Sequence, residues 1–325
     1  MTGTTKTQAR TAEHPTFRFF RYAVSLMLLT VLLQKVDFQE MANDLGRLTV
    51  APTALIFSLA MAQVVLTSLR WHLLLKSARI HLPFRFVTEV NVISILANTV
   101  LINVIGGIVA KVALLAGRKV TTHVTLATLI LERVLILVVL VAMAVVGLWL
   151  LPISISLADV PYIAAVPVTL ALLLMAIAIR ESKSLKKILQ PLWLYGCKVI
   201  AEISNGARSR WAISNSLLLT IANQLLMVGM GVSIAFALGI AVPLLDIALL
   251  LPAVVLLASL PISVAGLGVR EVSLVYVLSL YGVSAEQAML FSILILFFSI
   301  CAAVAMYALL KLIKPLWPTG PRALS

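Results

Sequence analysis

The chain has 325 residues, 62% of them hydrophobic and only 11% charged, with a mean hydropathy of +1.12. A soluble domain carries roughly 45–50% apolar and about 25% charged residues, so this composition excludes a water-facing globular surface. The net charge of +13 comes from basic residues set between apolar runs, with no aromatic–basic recognition segments. That pattern argues against a nucleic-acid partner and matches the loops of a membrane protein.

At the N-terminus, Lys6, Arg10, Arg18 and Arg21 precede an apolar stretch, 23–33, of signal-peptide length. The residues that follow, Gln34-Lys35-Val36-Asp37-Phe38, lack a small-x-small cleavage pattern, so this stretch reads as an uncleaved first helix. Apolar windows predict spanning helices at 19–36, 50–69, 124–151, 162–179, 213–238, 247–264 and 288–310. Two stretches fit less simply. Residues 88–115 are interrupted by Asn91, Asn98, Asn103, Gly106, Gly107 and Lys111, and 272–281 is too short to cross alone. Both read as broken or re-entrant segments, which a membrane tolerates where they face protein or a wet cavity. The expected fold is all-α: a polytopic transmembrane bundle with two such segments, in the layout of an inverted repeat. The whole chain, 1–325, reads as one membrane domain, with tails at 1–18 and 311–325 around a bundle at 19–310.

Basic residues set the expected orientation. They gather in the N-terminal tail, at Arg70, Lys76, Arg79 and Arg85, at Lys111, Arg118 and Lys119, through 180–210, and at Lys311, Lys314 and Arg322. The connections 152–161, 239–246 and 282–287 have none, and 34–49 has only Lys35 and Arg47. Both termini are therefore expected in the cytoplasm, provided 88–115 dips in and returns to one side. In the loop 180–210, Leu185, Ile188, Leu189, Leu192 and Trp193 recur at helical spacing opposite Lys183, Lys186, Lys187 and Gln190. This is an amphipathic helix at headgroup level, either an ordinary anchor or a reader of anionic lipid.

Ionisable residues inside a bilayer are costly, so each is a candidate for function. Gly106 and Gly107 allow a break, after which a helix restarting at Ile108 offers free N–H groups to an anion, with Lys111 one turn on. The bland alternative is close helix packing with Lys111 at the border. Ser263, Gly266, Gly268, Arg270 and Glu271 repeat the grammar of breaker, glycines, cation and apolar run. Paired interruptions of this kind point to a transporter site between structural repeats, although the likeness is in layout more than letters and chance is the alternative. Glu132 and Arg133 interrupt a long apolar run and, about 100° apart on a helix, cannot face each other. Their candidate partners by charge are Lys111, Arg270 and Glu271; Arg133 at a border could instead snorkel. Arg70-Trp71 reads as the interfacial end of the second helix, and Asn223-Gln224 as polar glue between helices. Cys197 and Cys301 stand apart, and His14, His72, His81 and His123 lack ligand spacing, so no metal or cofactor is expected. No Ser/His/Asp constellation, Walker loop or HExxH appears, so an enzyme is not expected.

Arg70-Trp71-His72-Leu73-Leu74-Leu75, Gly106-Gly107 with Lys111, Leu131-Glu132-Arg133, Pro261-Ile262-Ser263-Val264-Ala265-Gly266-Leu267-Gly268-Val269-Arg270-Glu271 and Gly282-Val283-Ser284 carry a resemblance. The chain resembles, over about 18–310, the transmembrane region of lysylphosphatidylglycerol synthases, a flippase-like family. The likeness implies a multi-pass protein of the bacterial inner membrane, related to the part of multi-peptide-resistance proteins that moves aminoacylated phosphatidylglycerol between leaflets. The soluble aminoacyl-transferase domain of those proteins has no counterpart in these residues, so aminoacylation is not expected. Two departures stand out: Ile108 and Lys111 replace an acidic residue and an arginine, and Ile102-Asn103 replaces Leu-Pro.

The expected function is a lipid translocator moving an anionic or aminoacylated phospholipid, or another lipid-linked substrate. Lys111, Arg270, Glu271, Glu132, Arg133, Gly106, Gly107, Gly266, Gly268 and Ser263 form its substrate site, with both cations in one polar cavity. The alternative is a non-transporting accessory subunit of an envelope lipid or polysaccharide assembly system. A homo-oligomer or an envelope-biosynthesis partner fits either.

Overall fold

Apolar side chains on every face of a helix suit a lipid solvent, in which the backbone must satisfy its own hydrogen bonds. The computed structural model describes residues 38–46, 48–100, 103–118, 120–151, 207–259 and 269–313, and within them all regular structure is helical. The helices are α1 (Phe38–Leu45), α2 (Val50–Ser77), α3 (Phe84–Val100), α4 (Asn103–Ala116), α5 (Thr122–Leu150), α6 (Ala207–Leu238), α7 (Leu244–Ala258), α8 (Val269–Ser279) and α9 (Ala285–Leu312). The windows 19–36 and 162–179, and the amphipathic loop short of residue 207, lie outside the described residues.

Four described helices are long and apolar enough to cross a bilayer: Val50–Ser77, Thr122–Leu150, Arg210–Leu238 and Ala285–Leu312. On α5 the outward stripe of Val134, Leu137, Val138, Val141, Val145 and Trp149 is exposed, while Leu131, Leu135 and Val139 are buried. An apolar exposed face of this kind makes sense only against lipid. The second helix runs on to Ser77 instead of stopping near Leu69. It ends where Arg79 turns left-handed (φ 60) and Ile80 N–H returns to Leu75 O at 2.9 Å. The window expected at 247–264 resolves into the shorter α7, 15 residues with Pro252 inside it.

The most extensive contact joins α2 and α6. It runs antiparallel, stitched on successive turns by Gln63 Nε2 to Met230 Sδ (3.6 Å), Thr67 Oγ1 to Asn223 Oδ1 (3.2 Å) and Arg70 Nη1 to Thr220 Oγ1 (3.5 Å). Asn223 thus serves as interhelical glue. α9 packs against α2, α3 and α6, and α5 packs on α7 through Gly147, where a side chain would overlap the carbonyl of Leu249.

Four shorter helices pack in two pairs. α3 and α4 pack together, and Leu115 near the end of α4 is buried with Val87 and Val90 of α3 and with Trp71 and Leu75 of α2. Both outer ends of this pair therefore lie beside the C-terminus of α2. α7 and α8 also pack together; Tyr281, just beyond α8, donates to Asp246 Oδ2 in the first turn of α7 at 3.1 Å. Burial and the acceptor carboxylate push the Tyr281 hydroxyl up to about 12, so this bond persists until the pH rises through that value. Their outer ends lie at the opposite end of the bundle, where α6 stops and α9 starts.

The two ends differ in charge. One carries Lys76, Arg79, Arg85, Arg118, Arg210 and Lys311, with Glu89 bonded to Lys311 at 2.5 Å. The other carries Asp44, Asp246 and Glu286 among the described residues. By the positive-inside rule the basic end is the one expected to face the cytoplasm. In a chain whose Cys197 and Cys301 are replaced by serine, Arg118→Cys is expected to react with an impermeant maleimide from the cytoplasmic side only. Glu286→Cys should react from the other side only; labelling of both from one side contradicts the arrangement.

Candidate functional site

A carboxylate placed in the interior of an oily bundle must find positive charge, because an isolated buried ion is far too costly. Glu132, in the middle of α5, finds two cations. Its Oε1 accepts from Arg70 Nη2 of α2 at 2.6 Å and its Oε2 from Lys111 Nζ of α4 at 3.2 Å. Arg70, Lys111 and Glu132 are all buried, and the Lys111 ammonium also sits 4.3 Å from the centroid of the Trp71 ring. Arg133, next on α5, is exposed and takes no part in this cluster. Of the partners charge alone had offered Glu132, the structure selects Lys111.

Arg70 is the member that sequence reasoning missed. A cation beside Trp at the end of an apolar run reads as an interfacial anchor, but α2 continues past it for almost two turns. The pairing with Glu132 spans 62 positions, which no local signal reveals. Asn91 Nδ2 donates to Ser68 Oγ at 3.1 Å nearby, so the α2–α3 contact beside the cluster is polar as well.

The glycine pair also departs from expectation. α4 starts at Asn103 and runs through Gly106 and Gly107, so the helix does not restart at Ile108. Glycine only permits a break, and inside a helix it costs roughly 0.5–1 kcal/mol relative to alanine. Its use here is close approach. The Gly107 N–H donates to Asn98 Oδ1 at 2.7 Å, and a Cβ at this position would lie 2.5 Å from Ser94 Oγ. The Gly107 N–H is thus taken by the chain's own amide, and the N–H groups expected to be free from Ile108 onward lie within a continuous helix.

The second cluster lies on α8 and α9. Arg270 Nη2 meets Glu271 Oε1 at 2.7 Å, Arg270 Nε donates to Ser292 Oγ at 2.8 Å, and Ser292 Oγ donates to Glu271 Oε1 at 2.9 Å. Adjacent helical residues seldom face each other; here Arg270, at the second position of α8, bends back toward the carboxylate that Ser292 also holds. The Arg270 side chain is 18% exposed and that of Glu271 4%. Ser292 had no signal at all, one of two serines within the apolar run of α9. Ser263, Gly266 and Gly268 lie outside the described residues.

The two clusters do not share a partner among the described residues. Arg70 and Lys111 stand roughly 8–10 Å along their helices from the basic end. Ser292 and Arg270 stand roughly 10–14 Å along theirs from the acidic end. The expected common pocket is thus replaced by one cation cluster toward each end. A groove of about 520 Å³ between α2 and α9 is apolar, lined by Phe57, Phe297, Phe298 and Cys301 among others, and includes neither cation. Gly107→Ala is expected to lower stability by about 1–3 kcal/mol through overpacking against Ser94 and Asn98. Gly229→Ala, whose Cβ meets only Leu59 Cδ1 at 4.0 Å, should be neutral or stabilising; chemical unfolding of both variants in detergent checks the contrast.

No curated protein matches the chain. The family described as the lysylphosphatidylglycerol synthase TM region matches residues 18–306. With a bundle holding four membrane-length apolar helices and a family match along most of its length, the chain is a multi-pass membrane protein that belongs to the lysylphosphatidylglycerol synthase transmembrane-region family.

Proposed function

We propose that the protein is a lipid translocator that carries a phospholipid headgroup, or another lipid-linked polar group, between leaflets while the acyl chains stay in lipid. The observation that carries this reading is the pair of cation clusters set at opposite depths on short helical hairpins. At 17, 14, 15 and 11 residues, α3, α4, α7 and α8 measure roughly 26, 21, 22 and 16 Å, short of the ~30 Å hydrocarbon core. Each hairpin then enters from one face and returns to it, α3–α4 from the basic end and α7–α8 from the acidic end. Two inverted hairpins of this kind are the layout of transporters built from structural repeats. Lys111 and Arg70 receive a headgroup on the cytoplasmic side, Arg270 on the other, and Glu132 and Glu271 hold the cations in place between encounters.

A second reading has its own support. Lys111 is 6% exposed and held in an ion pair, which suits a structural lock in a non-transporting subunit of an envelope lipid or polysaccharide assembly system. Proteoliposomes separate the two. With labelled phospholipid in one leaflet, the purified chain should accelerate its exchange, and Lys111→Ala and Arg270→Ala should each slow it by about tenfold or more, the scale of losing a hydrogen bond to a charged group. Exchange no faster than in protein-free vesicles favours the accessory subunit, and wild-type rates in both variants remove the site.

A further inference from the structure

Glu132 is the only carboxylate that reaches Arg70 and Lys111 among the described residues, so two cations share one anion. With all three ionised, the cluster keeps one positive charge in an interior where each side chain is at most 7% exposed. Such a charge is stable only with a counter-ion or a strong set of acceptors. The Trp71 ring face meets the Lys111 side of this need. The Arg70 side is left incomplete. Arg70 Nε is buried without a hydrogen-bond partner, and so is Ser216 Oγ. Ser216 lies on α6 one turn before Thr220, the residue that Arg70 Nη1 contacts, and Thr220 Oγ1 donates to Ser216 O at 2.7 Å. Two unfilled donors thus lie on the seam of α2 and α6, where the ionised cluster has one positive charge in excess; Trp71 Nε1, on the Lys111 side, is a third donor without a partner.

We infer that this seam is the headgroup contact of the proposed translocator, taking one singly charged phosphodiester oxygen between Arg70 Nε and Ser216 Oγ. The inference rests on the translocation reading and narrows its substrate class. One negative charge balances the cluster. A zwitterionic headgroup brings its own ammonium into the cluster, and a lysylated phosphatidylglycerol headgroup, with two ammonium groups against one phosphate, adds net positive charge where it is already in excess. The preferred ligand is an anionic glycerophospholipid with an uncharged headgroup alcohol. The donors are sealed in this conformation, so the surrounding side chains must shift to admit the oxygen.

Ser216→Ala is the incisive variant. The hydroxyl makes no described bond, so its removal strands no partner and should leave the unliganded protein as stable or slightly more so. Arg70→Lys, which keeps the charge but loses the Nε donor, is the companion. Unfolding temperature of the full chain in detergent is followed against short-chain phosphatidylglycerol, its lysylated form, short-chain phosphatidylcholine, glycerophosphoglycerol and inorganic phosphate. Phosphatidylglycerol should stabilise the wild type at lower concentration than either other lipid, and both variants should weaken that effect roughly tenfold. Equal effects of inorganic phosphate and phosphatidylglycerol overturn the lipid as source; weaker binding of glycerophosphoglycerol supports it. Preference for the lysylated lipid, or unchanged phosphatidylglycerol binding in both variants, overturns the site. Exchange in proteoliposomes is scored separately. Active exchange without this charge preference defeats the seam alone, and a selective seam in a protein that moves no lipid defeats translocation alone.

Discussion

A carboxylate buried in oil and shared by two cations is the constraint around which this structure is arranged. Glu132 draws Arg70 from α2 and Lys111 from α4 onto the middle of α5. No other contact described ties three helices together through charge. Removing Glu132 would leave two cations in the interior without their anion, a penalty of about 3–5 kcal/mol and far above that of a surface bridge. The neighbouring geometry follows. α4 must come close to α3 to bring Lys111 inward, which is why only glycine fits at 107 against Ser94 and Asn98. α2 extends past the point where its apolar run thins, because the Arg70 guanidinium is held there by Glu132 of α5 and Thr220 of α6 rather than by water.

The second constraint is length. Helices of 11 to 17 residues lie at or below the ~17-residue lower limit for crossing a bilayer, and α3, α4, α7 and α8 are all of that size and pack in two pairs. Four long helices supply the wall, with apolar stripes outward and the α2–α6 polar seam inward. Each pair of short helices delivers its cation to a different depth. On the proposed reading, a headgroup meets positive charge twice, near one face and again near the other, in place of a single central pocket.

Much of this was legible in the residues. The apolar run of α5, expected at 124–151, is found at Thr122–Leu150, because an unbroken apolar run of this length carries its own boundaries. The all-helical fold and the family followed from composition and from the motifs around Glu132 and Arg270. What could not be read were relations between distant positions. Glycine pairs carry the same letters whether they break a helix or admit a neighbour, and only the placement of Asn98 shows which. Arg70 looked like an interfacial anchor since its partner lies on another helix, and Ser292 gave no sign within its apolar surroundings. The sharing of one cavity by Lys111 and Arg270 was inferred from similarity of layout, and layout says nothing about depth.

The most direct test of the central claim is a double-mutant cycle on Glu132 and Lys111, read by reversible unfolding in detergent. Glu132→Gln alone should be strongly destabilising, and adding Lys111→Met should recover part of the loss by removing the stranded ammonium. Additive losses from the two substitutions would contradict a cluster in which this carboxylate and this lysine hold each other inside the bundle.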